Sequence, residues 1–443
     1  MPLNEKILAM TAEWQKEVAQ QQLSEAEFVE LEEAARALGL RVAQAALESL
    51  LAAAGPGYAG AALACGCGAK LKFQRYAERP VRTLIGEVRY ERAYYYCRAC
   101  GTGRAPLDEQ LGQSARAISA GVERKLACLG AQLSFGAAQR VLTEFGIGLS
   151  ERQLETVAEE VGDRAQQKSA HEACVASTQA LAPARLRLVG APTRTWVVEM
   201  DGVMAGLKDS TWQEVKVGAI YELGQRVEIS AGRWELLAKQ LCVSRGGVEE
   251  FRAQVWALAL RSGIRRDERI VVLGDGAEWI DQTLAALFPH ATRILDFYHA
   301  AERIWEVANL RYGEQTRPAK AWAEAKLTSL KAGRVGAVCR ALRRLALPNT
   351  YAQARRDETV RYFERHRTAM AYDRYRAAGL PIGSGAIEGS CKHLVAARCK
   401  QSGMRWTPEG LDDILALRCW VLNDRLDELC PKPKVKIEWA KAA

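Results

Sequence analysis

Three carboxylates of this 443-residue chain, Asp201, Asp275 and Glu388, sit in contexts suited to holding divalent metal ions. Asp201 closes the run Trp196-Val197-Val198-Glu199-Met200-Asp201-Gly202. Asp275 follows Arg269-Ile270-Val271-Val272-Leu273-Gly274 and precedes Gly276, and Glu388 lies in Ile382-Gly383-Ser384-Gly385-Ala386-Ile387-Glu388-Gly389-Ser390. Two Mg²⁺ (or Mn²⁺) ions about 4 Å apart need carboxylates converging from separate segments. A carboxylate at the end of a buried strand is a rigid way to supply one. A Gly after each Asp leaves room for a phosphate to approach the backbone. Singly, each Asp reads as a cap or turn residue; together, separated by 74 and 113 positions from one carboxylate to the next, the three suit one site. In such a site one ion activates a water or hydroxyl and the other stabilises the leaving oxygen of an in-line displacement. Asp201 bridges the ions there, and Asp275 and Glu388 each complete one shell. No Ser or Tyr nucleophile is required.

Other residues could serve that chemistry. In Ile294-Leu295-Asp296-Phe297-Tyr298-His299, Asp296 could fix the tautomer of His299, which otherwise reads as a packed or capping residue. Lys392, Arg398 and Lys400 follow Glu388 on the same expected helix and suit phosphate contacts. Arg405 and Trp406 close a basic loop bent at Gly403, where Trp406 either stacks an unpaired base or is a core tryptophan. Cys65, Cys67, Cys97 and Cys100 form two close pairs with a β-rich hairpin between them, the pattern of a Zn²⁺ ribbon, although the first pair is C-x-C rather than C-x-x-C.

The elements that must position these residues are legible as periodicities. Residues 1–58 read as an acidic helical hairpin, 59–112 as the zinc ribbon, and 113–165 as a helix-turn-helix in which Ser134 and Ser150 are N-caps and Gln153 completes a capping box. Residues 166–192 read as a linker. From 193 the chain turns strand-rich, with strands at Thr195–Met200, Trp212–Tyr221 and Arg269–Leu273; Gln225–Ser230 and Lys239–Val243 extend the same sheet. Residues 193–299 and 380–428 together fit a mixed sheet of the ribonuclease H type, split by a basic helical insertion at 300–379 and followed by a tail at 429–443. The fold class expected is multidomain α+β, with an RNase H-like mixed α/β core preceded by a zinc ribbon and a helix-turn-helix.

Charge supports a polyanionic partner. The net charge of +9 is unevenly spread: residues 1–50 carry −5, residues 340–376 carry +6 with ten Arg, and residues 389–408 hold four bases and no acid. Such local basic surfaces bind phosphate. The chain has no uncharged apolar run of 18 residues and no signal pattern at Met1-Pro2-Leu3-Asn4-Glu5-Lys6, so a cytoplasmic protein without a membrane partner is expected.

Taken together, Met-Asp-Gly at 200–202, Gly-Asp-Gly-Ala at 274–277, Asp-Phe-Tyr-His at 296–299, Gly-Ser-Gly-Ala-Ile-Glu-Gly-Ser at 383–390 and Ser-Gly-Met-Arg-Trp at 402–406 resemble bacterial insertion-sequence transposases of the ISKra type, relatives of the IS256 and Mutator-like group. The resemblance covers about residues 60–425, and its last two motifs are the specific part. It implies a DDE transposase with metal ligands at Asp201, Asp275 and Glu388, a further motif at Asp296 and His299, double-stranded DNA as substrate, and at least a homodimer. Ser384 stands where a related group's Tyr-Arg-Glu-Lys signature wants Arg, so that group's hairpin-mediated excision is not carried over. A catalytically silent DNA-binding descendant and a nuclease without joining activity are the competing readings.

Overall fold

The computed structural model describes residues 2–20, 28–113, 116–183, 194–230 and 233–432. These fall into two compact units, residues 1–157 with 430–443, and residues 158–429.

The first unit opens with α1 (Leu3–Gln20) and α2 (Phe28–Ala54), an antiparallel pair tied by Trp14 Nε1 donating to the Ala34 carbonyl at 3.1 Å. Among the described helices α2 alone is long and apolar enough to cross a membrane by length and composition. A four-stranded antiparallel sheet follows in the order β1 (Ala62–Ala64), β2 (Lys70–Thr83), β3 (Gly86–Tyr96), β4 (Gly103–Arg104). Pairing of Lys72 with Tyr96 brings the turn before β2 and the turn after β3 to the same end of the hairpin. Then come α3 (Pro106–Gln110), α4 (Ala120–Gln132) and α5 (Phe135–Glu144), with Ser119 and Ser134 as the N-caps of the last two.

A 27-residue helix, α6 (Glu151–Ser177), begins in this unit and continues into the next. Its start carries the expected capping box: the Ser150 N–H donates to Gln153 Oε1 at 3.0 Å and the Gln153 N–H to Ser150 Oγ at 3.2 Å. The linker expected over 166–192 is therefore helical as far as Ser177, because apolar positions such as Ala173 and Ala176 stay buried along it. Residues 184–193 lie outside the described residues.

The second unit is built on β5 (Thr195–Gly206), β6 (Trp212–Glu222), β9 (Gln240–Ser244), β10 (Arg269–Gly274) and β11 (Thr292–Leu295). Their order is β11-β10-β5-β6-β9; β5, β6 and β9 are antiparallel, while β10 and β11 run parallel to β5. The segment expected to extend this sheet, Gln225–Ser230, instead forms a separate hairpin of β7 (Arg226–Ser230) with β8 (Arg233–Leu236), its apolar Val227, Ile229 and Trp234 exposed.

Strand periodicity divides β5 between two cores. Trp196, Val198 and Met200 face α7 (Val248–Arg261) and α8 (Glu278–Leu287). Val197 points the other way, into a cluster with Val271, Leu273, Leu295 and the helices α9 (Phe297–Tyr312), α10 (Arg317–Lys331), α11 (Val335–Arg344), α12 (Thr350–Arg365) and α13 (Tyr372–Ala377). The expected insertion is thus continuous with the sheet's own core, through Phe297, Ile304, Phe363 and Tyr372. The chain returns through α14 (Gly385–Ser390), a π-helical segment (Cys391–Ala396) and α15 (Ala397–Cys399), and ends in α16 (Pro408–Leu422) and α17 (Leu426–Leu429). These last two helices are separated at Asn423 and Asp424, the latter at φ +57°.

Candidate functional site

Asp201 lies in the middle of β5, not at a strand end as its sequence context suggested, because pairing with β6 continues through Asp201–Val217 to Gly206–Trp212. It shares the face of Glu199 and Val197. On the neighbouring strand Leu273 pairs with Glu199, two residues short of Asp275 and Asp201 on the same face, and the Asp275 charge acts on Asp201. Gly274 pairs in turn with Leu295, which brings Asp296 level with Asp275. Three aspartates therefore form a row where the parallel strands end, the position at which open α/β sheets present ligand sites.

The row is held by charge and shape. Burial pushes the Asp201 carboxyl above its ordinary range; the Gly202 N–H opposes this at 2.7 Å, and the Asp275 charge adds to it. Asp275 Oδ1 accepts from the Ala277 N–H at 2.8 Å, and its carbonyl accepts from the Tyr362 hydroxyl on α12. Gly276 sits at φ +85°, with the His366 ring and Leu295 packed where a Cβ would lie. Neither Asp201 nor Asp275 has a Lys or Arg partner among the described residues.

Asp296 has a different role from the one expected of it. It is 1% exposed and caps α9: Oδ1 accepts the backbone N–H groups of Tyr298 at 2.5 Å and His299 at 3.0 Å, leaving the imidazole untouched. Oδ2 accepts the Ser384 N–H at 2.6 Å and the Ser384 hydroxyl. The His299 ring instead points Nδ1 toward Glu302 at 3.6 Å.

A second buried carboxylate, Glu199, completes the clamp. It accepts from the Tyr221 hydroxyl and from the Ile387 N–H, each at 2.7 Å, and burial pushes it up to about 7. Asp296 and Glu199 together pin the first turn of α14 against the sheet. Glu388, one residue beyond Ile387, remains exposed and paired with Lys392 at 2.6 Å. The π-helical segment, a feature common at functional sites, aims the Cys391 thiol at Asp201 Oδ2 over 3.9 Å. Burial, reinforced by the Asp201 charge, pushes that thiol up to about 12, so it stays protonated and faces the carboxylate with a weak donor.

Sequence reasoning passed over Glu199, Ser384, Cys391, Tyr362 and His366. Only Glu199 carried a signal: a charged residue two positions from Asp201, on the same face of a strand otherwise apolar there.

Two expected DNA contacts are overturned. Arg398 is fully buried, stacked on Trp406 at 5.0 Å, and burial pushes its guanidinium down to about 10. Trp406 is 6% exposed and donates from Nε1 to the Cys399 carbonyl at 3.0 Å, so it packs under the loop and does not stack a base. Arg398 lies on α15 and Trp406 in the loop before α16, where it bridges to Leu207 just after β5. Lys400 and Arg405 are exposed, with Arg405 over the Trp212 ring at 5.2 Å.

The second chemical centre is sulfur. Sγ atoms of Cys65 and Cys100 are 3.5 Å apart, those of Cys67 and Cys97 3.7 Å, and all four lie within 4.8 Å of one another. Tetrahedral Zn–S bonds of about 2.3 Å require S···S edges of about 3.8 Å. Two tight turns make the knuckles: Gly68 N–H donates to the Cys65 carbonyl at 3.0 Å and Gly101 N–H to the Cys97 carbonyl at 2.9 Å. The cluster can hold a metal such as zinc. Among the described residues no carboxylate group converges as tightly as these thiols. Within the second unit, a cavity of about 950 Å³ lies apart from the carboxylate row, between α6, α7, β9 and α16.

Fold and sites define a two-unit mixed α/β protein with a four-cysteine cluster and a carboxylate row on an open sheet. A sequence model of an uncharacterised protein family (UPF0236) matches residues 67–427, and the chain belongs to that family. No curated protein matches it.

Proposed function

We propose that the protein is a DNA transposase: a Mg²⁺-dependent strand transferase whose core is of the RNase H type. The observation that carries this reading is the register that sets Asp201 and Asp275 side by side, both without a cationic partner, beneath a helix start clamped to present Glu388. The strand order supports it too, since three antiparallel strands followed by two parallel ones is the arrangement expected of that core. The matched family is associated with transposase-like proteins.

Asp201, Asp275 and Glu388 would hold two Mg²⁺ ions, which supply an activated water or 3′-hydroxyl and stabilisation of the leaving oxygen. Glu388 joins the pair by leaving Lys392, and an exposed ion pair of this kind costs only about 0–1 kcal/mol to break. Lys392, once released, is placed to meet a phosphate beside the reacting group. Cys391, itself buried, covers the inner side of Asp201. The zinc-bearing sheet and the helices α4 to α6 serve DNA binding, and catalysis proceeds in a multimer that pairs two DNA ends.

The test is strand joining: protein, Mg²⁺, a DNA end taken from the flanks of its own gene, and a target plasmid. Joined products are expected from the wild type and are expected to vanish in Asp201→Ala, Asp275→Ala and Glu388→Ala. Joining that survives any one of these changes overturns the site. Cleavage without joining identifies a nuclease, and DNA binding with neither reaction identifies a binding-only descendant.

A further inference from the structure

The helices outside the strand-bearing part of the second unit carry a surplus of arginine, and most of those with an acid nearby use it. Arg343 pairs with Glu364 at 2.6 Å, Arg355 with Glu306 at 2.6 Å and Glu358 at 2.5 Å, and Arg356 with Asp357 at 2.8 Å. Two do not. Arg340 on α11 and Arg367, in the turn after α12, are exposed and have no acid partner among the described residues. They nevertheless converge. A Cβ built on Gly336 would lie 3.7 Å from Arg340 Nη1 and 3.4 Å from Arg367 Nη2, so these nitrogens are at most 7.1 Å apart.

Two like charges held this close with no intervening acid make a seat for an anion, and the missing side chain at Gly336 leaves it open. A phosphate, with oxygens about 2.5 Å apart, each accepting at about 2.9 Å, spans such a gap. The nearest acids have other occupations: Glu364 is taken by Arg343, and the Asp373 carboxylate lies against Gly333, one turn earlier. The seat is also tied to the carboxylate row. Arg367 directly follows His366, whose ring packs on Gly276, next to Asp275.

We propose that Arg340 and Arg367 seat one backbone phosphate of the DNA that reaches the carboxylates, a contact independent of base sequence. This inference rests on the transposase reading and names a part of its substrate grip. Phosphate neutralisation releases counterions, so each such contact adds about 0.9 to the slope of log K against log salt.

The experiment titrates salt against binding of a fluorescent duplex of arbitrary sequence in EDTA, with no catalytic metal present. The double variant Arg340→Gln, Arg367→Gln is expected to bind more weakly and to lose about one from the slope. Gly336→Asp sets a carboxylate between the two guanidiniums. It is expected to lose the same slope while keeping or raising the melting temperature, which separates loss of the seat from loss of the fold. An unchanged slope in both variants, with wild-type duplex binding intact, overturns this inference alone. Failure of the wild type to bind duplex overturns it together with the transposase reading. Inorganic phosphate that binds the wild type below millimolar concentration, in the absence of any slope difference, would assign the seat to a free anion and likewise overturn it.

Discussion

Glu199→Leu removes an acceptor on which two elements converge. The wild-type side chain is fully buried and takes the Tyr221 hydroxyl on one oxygen and the Ile387 N–H on the other, each at 2.7 Å. Leucine has similar bulk but accepts nothing, so two buried donors lose their partner. At about 1–3 kcal/mol for each, the loss comes to roughly 2–6 kcal/mol. Glu199→Gln can still accept from Ile387 and donate to Tyr221, and should cost far less. The two variants also separate by pH. Folding raises the Glu199 carboxyl from 4.5 to about 7, so the folded chain holds this proton more tightly than the unfolded one. Its contribution is therefore full below pH 4.5, falls as pH rises, and is gone above about 7. At about 1.36 kcal/mol per pH unit this amounts to roughly 3 kcal/mol. Urea denaturation in EDTA, followed by fluorescence of Trp196, Trp279, Trp406 and Trp420, should show wild-type stability declining against that of Glu199→Gln across this window. The clamp argument also requires Mn²⁺ affinity to fall in Glu199→Leu, since α14 loses an anchor one residue before Glu388. A Leu variant within about 0.5 kcal/mol of wild type, or a wild type that gains stability over Glu199→Gln between pH 4.5 and 7, would refute the reasoning.

Asp296→Ala should weaken metal binding without removing a ligand, because it frees Ser384 and uncaps α9; a stability loss of about 2–4 kcal/mol by denaturation should accompany it. Cys97→Ser should lower bound zinc from one ion per chain, measured by atomic absorption, and chelation of the wild type should increase proteolysis within residues 59–112 while leaving the second unit's tryptophan signal in place. Arg398→Ala should destabilise by about 2–4 kcal/mol and leave the salt dependence of DNA binding unchanged, whereas Arg405→Ala should reduce that slope by about one with little effect on stability; the opposite pattern would restore Arg398 as a phosphate contact.

Much of the local structure was legible because its causes are local. The capping box at Ser150 and Gln153, the cap at Ser134 and the knuckles around the cysteine pairs depend on residues three or four apart. The same holds for the strands at 195, 212 and 269, whose apolar runs are long enough to signal burial on both faces. The misreadings share a different cause. Arg398 and Trp406 sit in a basic, Gly-bent stretch, yet both are buried, and the segment that Trp406 bridges to, at Leu207 after β5, lies far off in sequence. The pairing of β7 with β8 rather than with the main sheet turns on competition between partners that the alternation of one strand does not encode.

By itself the sequence determined which carboxylates stand in strand and glycine contexts, which cysteines pair, and where charge accumulates, since these follow from residue type and short spacing. Tertiary structure decided the rest of the site. Sheet register set Asp275 level with Asp201, two buried carboxylates became clamps, and the helices from 297 to 377 became a wall of the core whose Tyr362 and His366 hold the Asp275 turn. The physical reason is burial. A carboxylate removed from water must find donors, and for Glu199 and Asp296 those donors lie 188 and 88 residues away.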